Sequence, residues 1–574
     1  VTTYFNERRW LVLSVLCIAV FLVVVDNTIV NVALPTLSRQ LHVSNSSLQW
    51  IVDGYSLPFA GLLLAGGGLS DRVGRKRTMQ FALVLFGLFS LIAAFSHNIE
   101  TLLVARALMG AAAAFIFPAT LSTLTVVFDD TSERAKAFGV WGATTGIAIA
   151  LGPIAGGLLI AHFWYGSIFL VNVPLVIFGL AAITWVVPES RSPQRRRFDL
   201  VGLLLGTAGV TALVLAIIEG PSWGWRSIST LGLFAVAAIV LYIFTNVELR
   251  SSGPLLDVRI FHNRTFSAGA GAIATNFFCL FGFIFLVTQY FQFVRGYSAL
   301  SAGVHTLPFA IGVMVTTPLG ALAALRLGTR YVVALGLVIT ATALFWMSSM
   351  AANASYLGPI VGSMITLAIG FSLVNAPSVA ATMETLAPEQ IGGGAAGNET
   401  TRELGGTMGV AVIGSVFSSL FGPAVRHALA PFVAHGLQST QLDRAQSSMH
   451  AAQAAAAGLP VAFRSGVEAK VTSAFMDGLH RGCLVAAATA CAVAVIVFFY
   501  LPAGRPATST ELILEARIPI YRCERLFVSI SGKNGTQTPT PARGNSREIS
   551  CREFHECVSH LSQRALRRWC SLPA

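Results

Sequence analysis

Asp26 stands inside VLCIAVFLVVVDNTIVNVALP, residues 15–35, a run that carries no other charge. An ionised side chain near the centre of a bilayer costs at least about 2.5 kcal/mol, so a carboxylate there needs a physical reason. Arg106, in LLVARALMG, offers one. At about 1.5 Å per residue, Asp26 lies ~8 Å inside the end of its run and Arg106 ~8 Å inside the start of its own. The two are at similar depth, so pairing is available. A cation nearby favours the carboxylate, whereas desolvation favours the acid. Their competition lets a moving helix or an arriving substrate change the protonation state, which is the requirement for proton coupling. A purely structural buried ion pair satisfies the same spacing.

Glu399, Arg402 and Glu403 follow in NETTRELGG. Spacings of three and four place them on one helix face, so they either pair locally or turn an acid toward a substrate or a proton. Asp53, in WIVDGYSL, sits one turn into a further apolar run. It is expected to be reached from outside, as a proton site or as an entrance residue. No phosphate-binding loop, arranged nucleophile set or metal box is present, so no enzyme, cofactor or metal is expected. Cys17, Cys279, Cys483 and Cys491 lie in apolar runs and read as packing residues.

The elements that hold these residues are set by composition. The chain is 54% hydrophobic and 11% charged, against about 25% charged in a soluble domain, which predicts an all-α integral membrane protein. About fourteen apolar runs are long enough to span a bilayer. They divide into a six-helix bundle in residues 1–187, a linker with two additional spans in 188–264, and a second six-helix bundle in 265–502. A long outer loop is expected over 422–480 and a polar cytoplasmic tail over 503–574. With the N-terminus placed inside, Arg72, Arg75, Lys76, Arg77, Arg195, Arg196 and Arg197 all fall in loops on that side, whereas the short opposite loops hold Arg39, Arg226 and Arg295. That asymmetry places both termini in the cytoplasm. It also explains the net charge of +12 without nucleic acid, since no basic soluble domain accompanies it. LPFA recurs at 57–60 and 307–310 in spans of the same direction, each followed by a basic turn. This favours a parallel duplication of six spans.

Two further motifs concern movement. GGLSDRVGRKR, residues 67–77, forms a tight inner turn in which Gly67 and Gly74 permit close approach and reversal. Asp71 can pair with Arg72 or Arg75, with Lys76 adjacent, as a charged clasp between two arrangements. GATTGIAIALGPIAGG, residues 142–157, recurs in small residues at Gly142, Gly146 and Ala150, one smooth face for another helix. Gly152-Pro153 then bends that helix, and Gly156-Gly157 continues the close contact.

The turn resembles the signature G-x-L-x-D-R-x-G-R-[RK] of the major facilitator superfamily. GPIAGG and its preceding glycines resemble the G-x-x-x-G-P-x-x-G-G motif of the exporting, antiporter branch. VDNTIVNVALP, EGPSWGW, PLLDVRIF and NETTRELGGTMGVAV resemble the fourteen-span drug:proton antiporters, a likeness covering roughly residues 5–502. It implies proton-driven export of amphipathic, often cationic, compounds by a single chain. Arg106 resembles the fourth-span arginine of R-x-x-Q-G-x-G, to which proton transfer is ascribed, although Met109 and Ala112 replace the Gln and the second Gly. Glu399 and Glu403 fall where acids contact substrate or protons in exporters of cations, while members with neutral cargo often carry N-T-x-R-Q-L-G-G there. Export of an endogenous lipid, siderophore or metabolite is the alternative on the same fold, and a receptor or scaffold the less favoured one.

Overall fold

The structure is a computed structural model that describes residues 2–128, 131–191, 199–251, 258–385, 391–435 and 437–501. Arg195, Arg196, Arg197 and the tail 503–574 lie outside the described residues. The first half contains α1 (Thr2–Leu41), α2 (Asn45–Val73), α3 (Arg75–Ala94), α4 (Ile99–Val127) and α5 (Thr131–His162). Its sixth span is shared by α6 (Ser167–Leu170) and α7 (Asn172–Val186). Two further helices follow, α8 (Leu200–Trp223) and α9 (Ile228–Arg250). The second half opens with α10 (Arg264–Gln289), then α11 (Ala299–His305) and α12 (Leu307–Leu327), which together make one span. It continues with α13 (Thr329–Met347), α14 (Val361–Glu384) and α15 (Ile391–Leu429). The short α16 (Ser439–Ser447) and α17 (Met449–Ala457) lead into α18 (Val461–Tyr500). Among the described residues, thirteen stretches are long and apolar enough to cross a membrane, or fourteen when α2, bent by 55° between Leu63 and Ala65, counts as one span. Gly66-Gly67-Gly68 follows the bend, where the helix lacks side chains to stiffen it.

Backbone polar groups inside a bilayer find no water, so each span closes its own hydrogen bonds. The starts of the spans use side-chain caps: Ser44, Asn98, Asp199, Ser227, Asn263 and Ser298 each accept from a backbone N–H of the first turn. Gly74 and Gly328 join the second and third spans of their respective halves with φ of 123° and 90°. These left-handed angles suit glycine, and they mark the same reversal in each half.

The expected outer loop over 422–480 is much shorter as a connection. α15 continues to Leu429 and α18 starts at Val461, so both helices project past the apolar zone. A 3-10 turn at Ala430–His435, α16 and α17 fill the space between. The Ala-rich stretch HAAQAAAAG favours helix on its own composition, and it is helical in α17.

The halves meet along two seams. In one, α2 packs on α15, covered by α8; in the other, α5 packs on α11. These contacts lie toward the end opposite the basic turns: Gln49 against Gly414, Gly157 against Ala299 and Leu300, and Gly303 against Pro153. Gln292 also donates to the Val32 carbonyl at 2.8 Å. On the basic end of α5, Gly139, Gly142 and Gly146 meet nothing within 4 Å. The close contacts that these residues make between the halves thus lie at the end opposite the basic turns.

Candidate functional site

The centre of the first half is a buried charge cluster. Arg106 on α4 donates through Nη1 to Asp26 Oδ2 on α1 at 2.7 Å, and both side chains are fully buried. Asn172, at the start of α7, donates to the other carboxylate oxygen at 2.6 Å and to Ser90 Oγ at 3.0 Å. Arg106 Nε donates to the Ile51 carbonyl at 3.1 Å, and its guanidinium lies over the Tyr55 ring at 4.3 Å. A carboxylate receiving a guanidinium and an amide is well arranged for the charged form. The structure therefore brings together Asp26 and Arg106, as their depth predicts, and adds Asn172, Ser90 and Tyr55. Asn172 had no signal in the sequence beyond being a polar residue in an apolar stretch. Met109 is fully buried, and Gly110 lets α4 touch the Tyr55 backbone.

Asp53 does not lie at an outside entrance. It is fully buried, and among the described residues neither carboxylate oxygen has a hydrogen-bond partner. The cause is the tight α2–α15 seam, where Gly414 leaves room for the buried Gln49 one turn above. Gln49 and Ser56 are likewise without side-chain partners among the described residues.

Glu399, Arg402 and Glu403 do share a face of α15. Arg402 pairs with Glu399, and with Glu403 at 3.1 Å. The guanidinium also lies over two rings, Phe277 of α10 at 5.2 Å and Phe117 of α4 at 5.8 Å. The triad thus bridges the two halves.

At the basic end, Arg75 donates twice to Asp71 Oδ1, at 2.9 and 2.7 Å, while Arg72 is exposed. Lys76 Nζ donates to the Thr184 carbonyl at 2.7 Å and Arg75 N–H to the Ser190 carbonyl at 3.0 Å. Arg77 pairs with Glu189 at 3.6 Å, beside which Gly74 is closely packed. The turn therefore clasps the end of the sixth span of its own half. Glu189, Thr184 and Ser190 were not anticipated, because partners so far along the chain leave no local pattern. Gly67 makes only an ordinary contact with Pro118.

The smooth face expected on α5 is used over its second part alone. Gly152 abuts Thr28 and Gly156 abuts Ile29, both on α1, while Gly157 meets the backbone of α11. Gly142 and Gly146 face open space, contrary to the expectation of a continuous helix contact, since no other helix comes within 4 Å of a side chain placed there.

Two six-span halves that meet along helix seams, with an ion pair sealed inside the first, define a membrane transporter fold. Residues 16–423 match the family model described as the Major Facilitator Superfamily. The chain belongs to that superfamily. It is 33% identical over 496 residues to the multidrug efflux pump LfrA of Mycolicibacterium smegmatis, covering 86% of this chain and 97% of the relative. It is 34% identical over 458 residues to the methyl viologen resistance protein SmvA of Salmonella typhimurium, covering 79% and 90%. Among solved structures, it is similar to a bacterial homologue of the human lysosomal transporter Spinster in an inward-facing, unoccupied conformation. That likeness has a TM-score of 0.60 at 16% identity over 86% of this chain and 96% of the other. At that identity the likeness concerns the fold.

Proposed function

We propose that this protein exports amphipathic drug-like compounds in exchange for protons across the cytoplasmic membrane, by alternating access. The observation that carries the reading is the sealed Asp26–Arg106–Asn172 cluster beside a seam that can open. The basic turns mark the cytoplasmic end, as the positive-inside rule requires, with both termini on that side. In that orientation the contacts of Gln49 with Gly414 and of Gly157 with α11 close the outer end, so cargo is taken from the cytoplasm. Asp26 is then in its proton-released form, held by Arg106. When the halves turn, Arg106 withdraws and Asp26 takes a proton from outside. Asp53 serves as a second proton site, since a buried carboxyl without partners is tolerated far better as the neutral acid. Glu399 and Glu403 face the cargo. The relatives named for multidrug efflux and for methyl viologen resistance support a cargo of this kind. One chain holds both halves, which supports action as a monomer.

The test is uptake of a compound panel into everted membrane vesicles, with and without a proton gradient. Gradient-dependent accumulation of amphipathic cations or neutral aromatics is expected. Equal accumulation after the gradient is collapsed would end the antiport reading.

A further inference from the structure

The Arg402 guanidinium is held in an unusual way for a structural ion pair. It lies over the faces of Phe117, from the first half, and Phe277, from the second. Each ring is braced by others: Phe117 by Trp141 and Phe59, with centroids 5.0 and 6.1 Å away, and Phe277 by Phe371 and Phe281, at 5.3 and 6.0 Å. The place is an aromatic slot between the halves, where a cation gains from the ring quadrupoles. Two carboxyl groups, those of Glu399 and Glu403, share the one guanidinium. Hydrogen-bonding capacity is also left over. Among the described residues, Glu403 Oε2 and Arg402 Nε are buried without partners, and Glu403 as a whole is 3% exposed.

We propose that Arg402 is a resident stand-in for the cargo's cation, and that a flat, delocalised organic cation binds by displacing it from between Phe117 and Phe277. The inference rests on the exporter reading and gives it a cargo class. Guanidinium is itself planar and weakly hydrated, so a slot that suits it suits a planar aromatic cation better than a compact ammonium. The incoming charge meets Glu399 and Glu403, which already outnumber the arginine. The proton centre is close to the same helix, since the Tyr55 ring of α2, the helix that packs on α15, covers Arg106. Displaced Arg402 must return for the next cycle, which gives a means of ejecting cargo.

The test is binding of ethidium, followed by its fluorescence, to the purified full chain in nanodiscs, alongside ethidium export in everted vesicles. Removing the resident cation with Arg402→Gln is expected to tighten binding by about ten-fold while slowing export. Phe117→Leu and Phe277→Leu are each expected to weaken binding about three- to five-fold. Arg402→Lys, which keeps the charge but loses the flat group, covers the case in which the Gln variant does not fold; it is expected to tighten binding about three-fold. Unchanged or weaker binding in the folded Arg402 variants would overturn the proposal. Wild-type export of ethidium together with that result would leave the exporter reading standing. No gradient-dependent export of any compound by wild type would instead remove the reading on which the proposal rests.

Discussion

Replacing Asp26 by Asn keeps the shape of the side chain and removes its charge. In the wild type, Arg106 has one anionic partner at 2.7 Å, one carbonyl at 3.1 Å and the Tyr55 ring at 4.3 Å. Its Nη2 has no hydrogen-bond partner among the described residues. Without the carboxylate, a fully buried guanidinium is left with a carbonyl, a ring face and the weak acceptor of an amide. Breaking a buried pair in this way costs about 3–5 kcal/mol, mostly from the orphaned charge. The single variant should therefore melt at a clearly lower temperature in detergent. Adding Arg106→Gln removes the orphan and should recover most of that loss. Transport should behave differently, because neither protein can release a proton from this site: uphill export should be absent from both, while ligand binding remains in the double variant. Thermal unfolding, ligand binding and pH-driven flux on the same preparations separate the two effects. An Asp26→Asn protein as stable as wild type would refute the electrostatic account, and one that still concentrates substrate would refute the proton role.

The fifth span should tolerate change unevenly. Gly157→Val places new atoms against the α11 backbone and should disfavour the closed outer seam by about 1–3 kcal/mol, seen as greater labelling of cysteines placed near Ala299 from outside, whereas Gly146→Val meets open space and should leave that labelling unchanged. Asp71→Asn removes the negative charge that accepts both hydrogen bonds from Arg75 and should slow exchange several-fold in flux assays with ligand affinity retained; normal flux would remove the gating role. The cap formed by α16 and α17 should loosen in acid. His450 on α17 stacks on His42 at 6.3 Å, and burial, followed by Arg39 and His42, lowers its pKa below the ordinary value. A histidine whose folded value is depressed gives stability that is full above its unfolded pKa, about 6.5, and is lost as pH falls through the folded one. Hydrogen exchange over 439–457 should rise between pH 7.5 and 5.5, and His450→Gln should flatten that change.

The helices were legible in the sequence because bilayer length and apolar composition leave few alternatives. The pairing of Asp26 with Arg106 was legible too, from depth alone. Asn172 was not, since an amide in an apolar stretch carries no pattern until α7 is placed against α1. The burial of Asp53 depends on how closely α2 and α15 approach, which is set by Gly414 far along the chain. The disposition of Gly142 and Gly146 depends on which helices approach the first part of α5, which a pattern of small residues does not specify. The aromatic slot around Arg402 needs rings from α4 and α10, about a third of the transporter apart in sequence order but adjacent across the halves.

In an antiporter, cargo and protons move in opposite directions through one machine. Proteoliposomes loaded with a pH-sensitive dye measure it directly, when an ethidium gradient is imposed with no initial pH difference. The account predicts proton movement opposite to ethidium in the wild type and none with Asp26→Asn. Ethidium flux through wild type with no accompanying proton movement would contradict it.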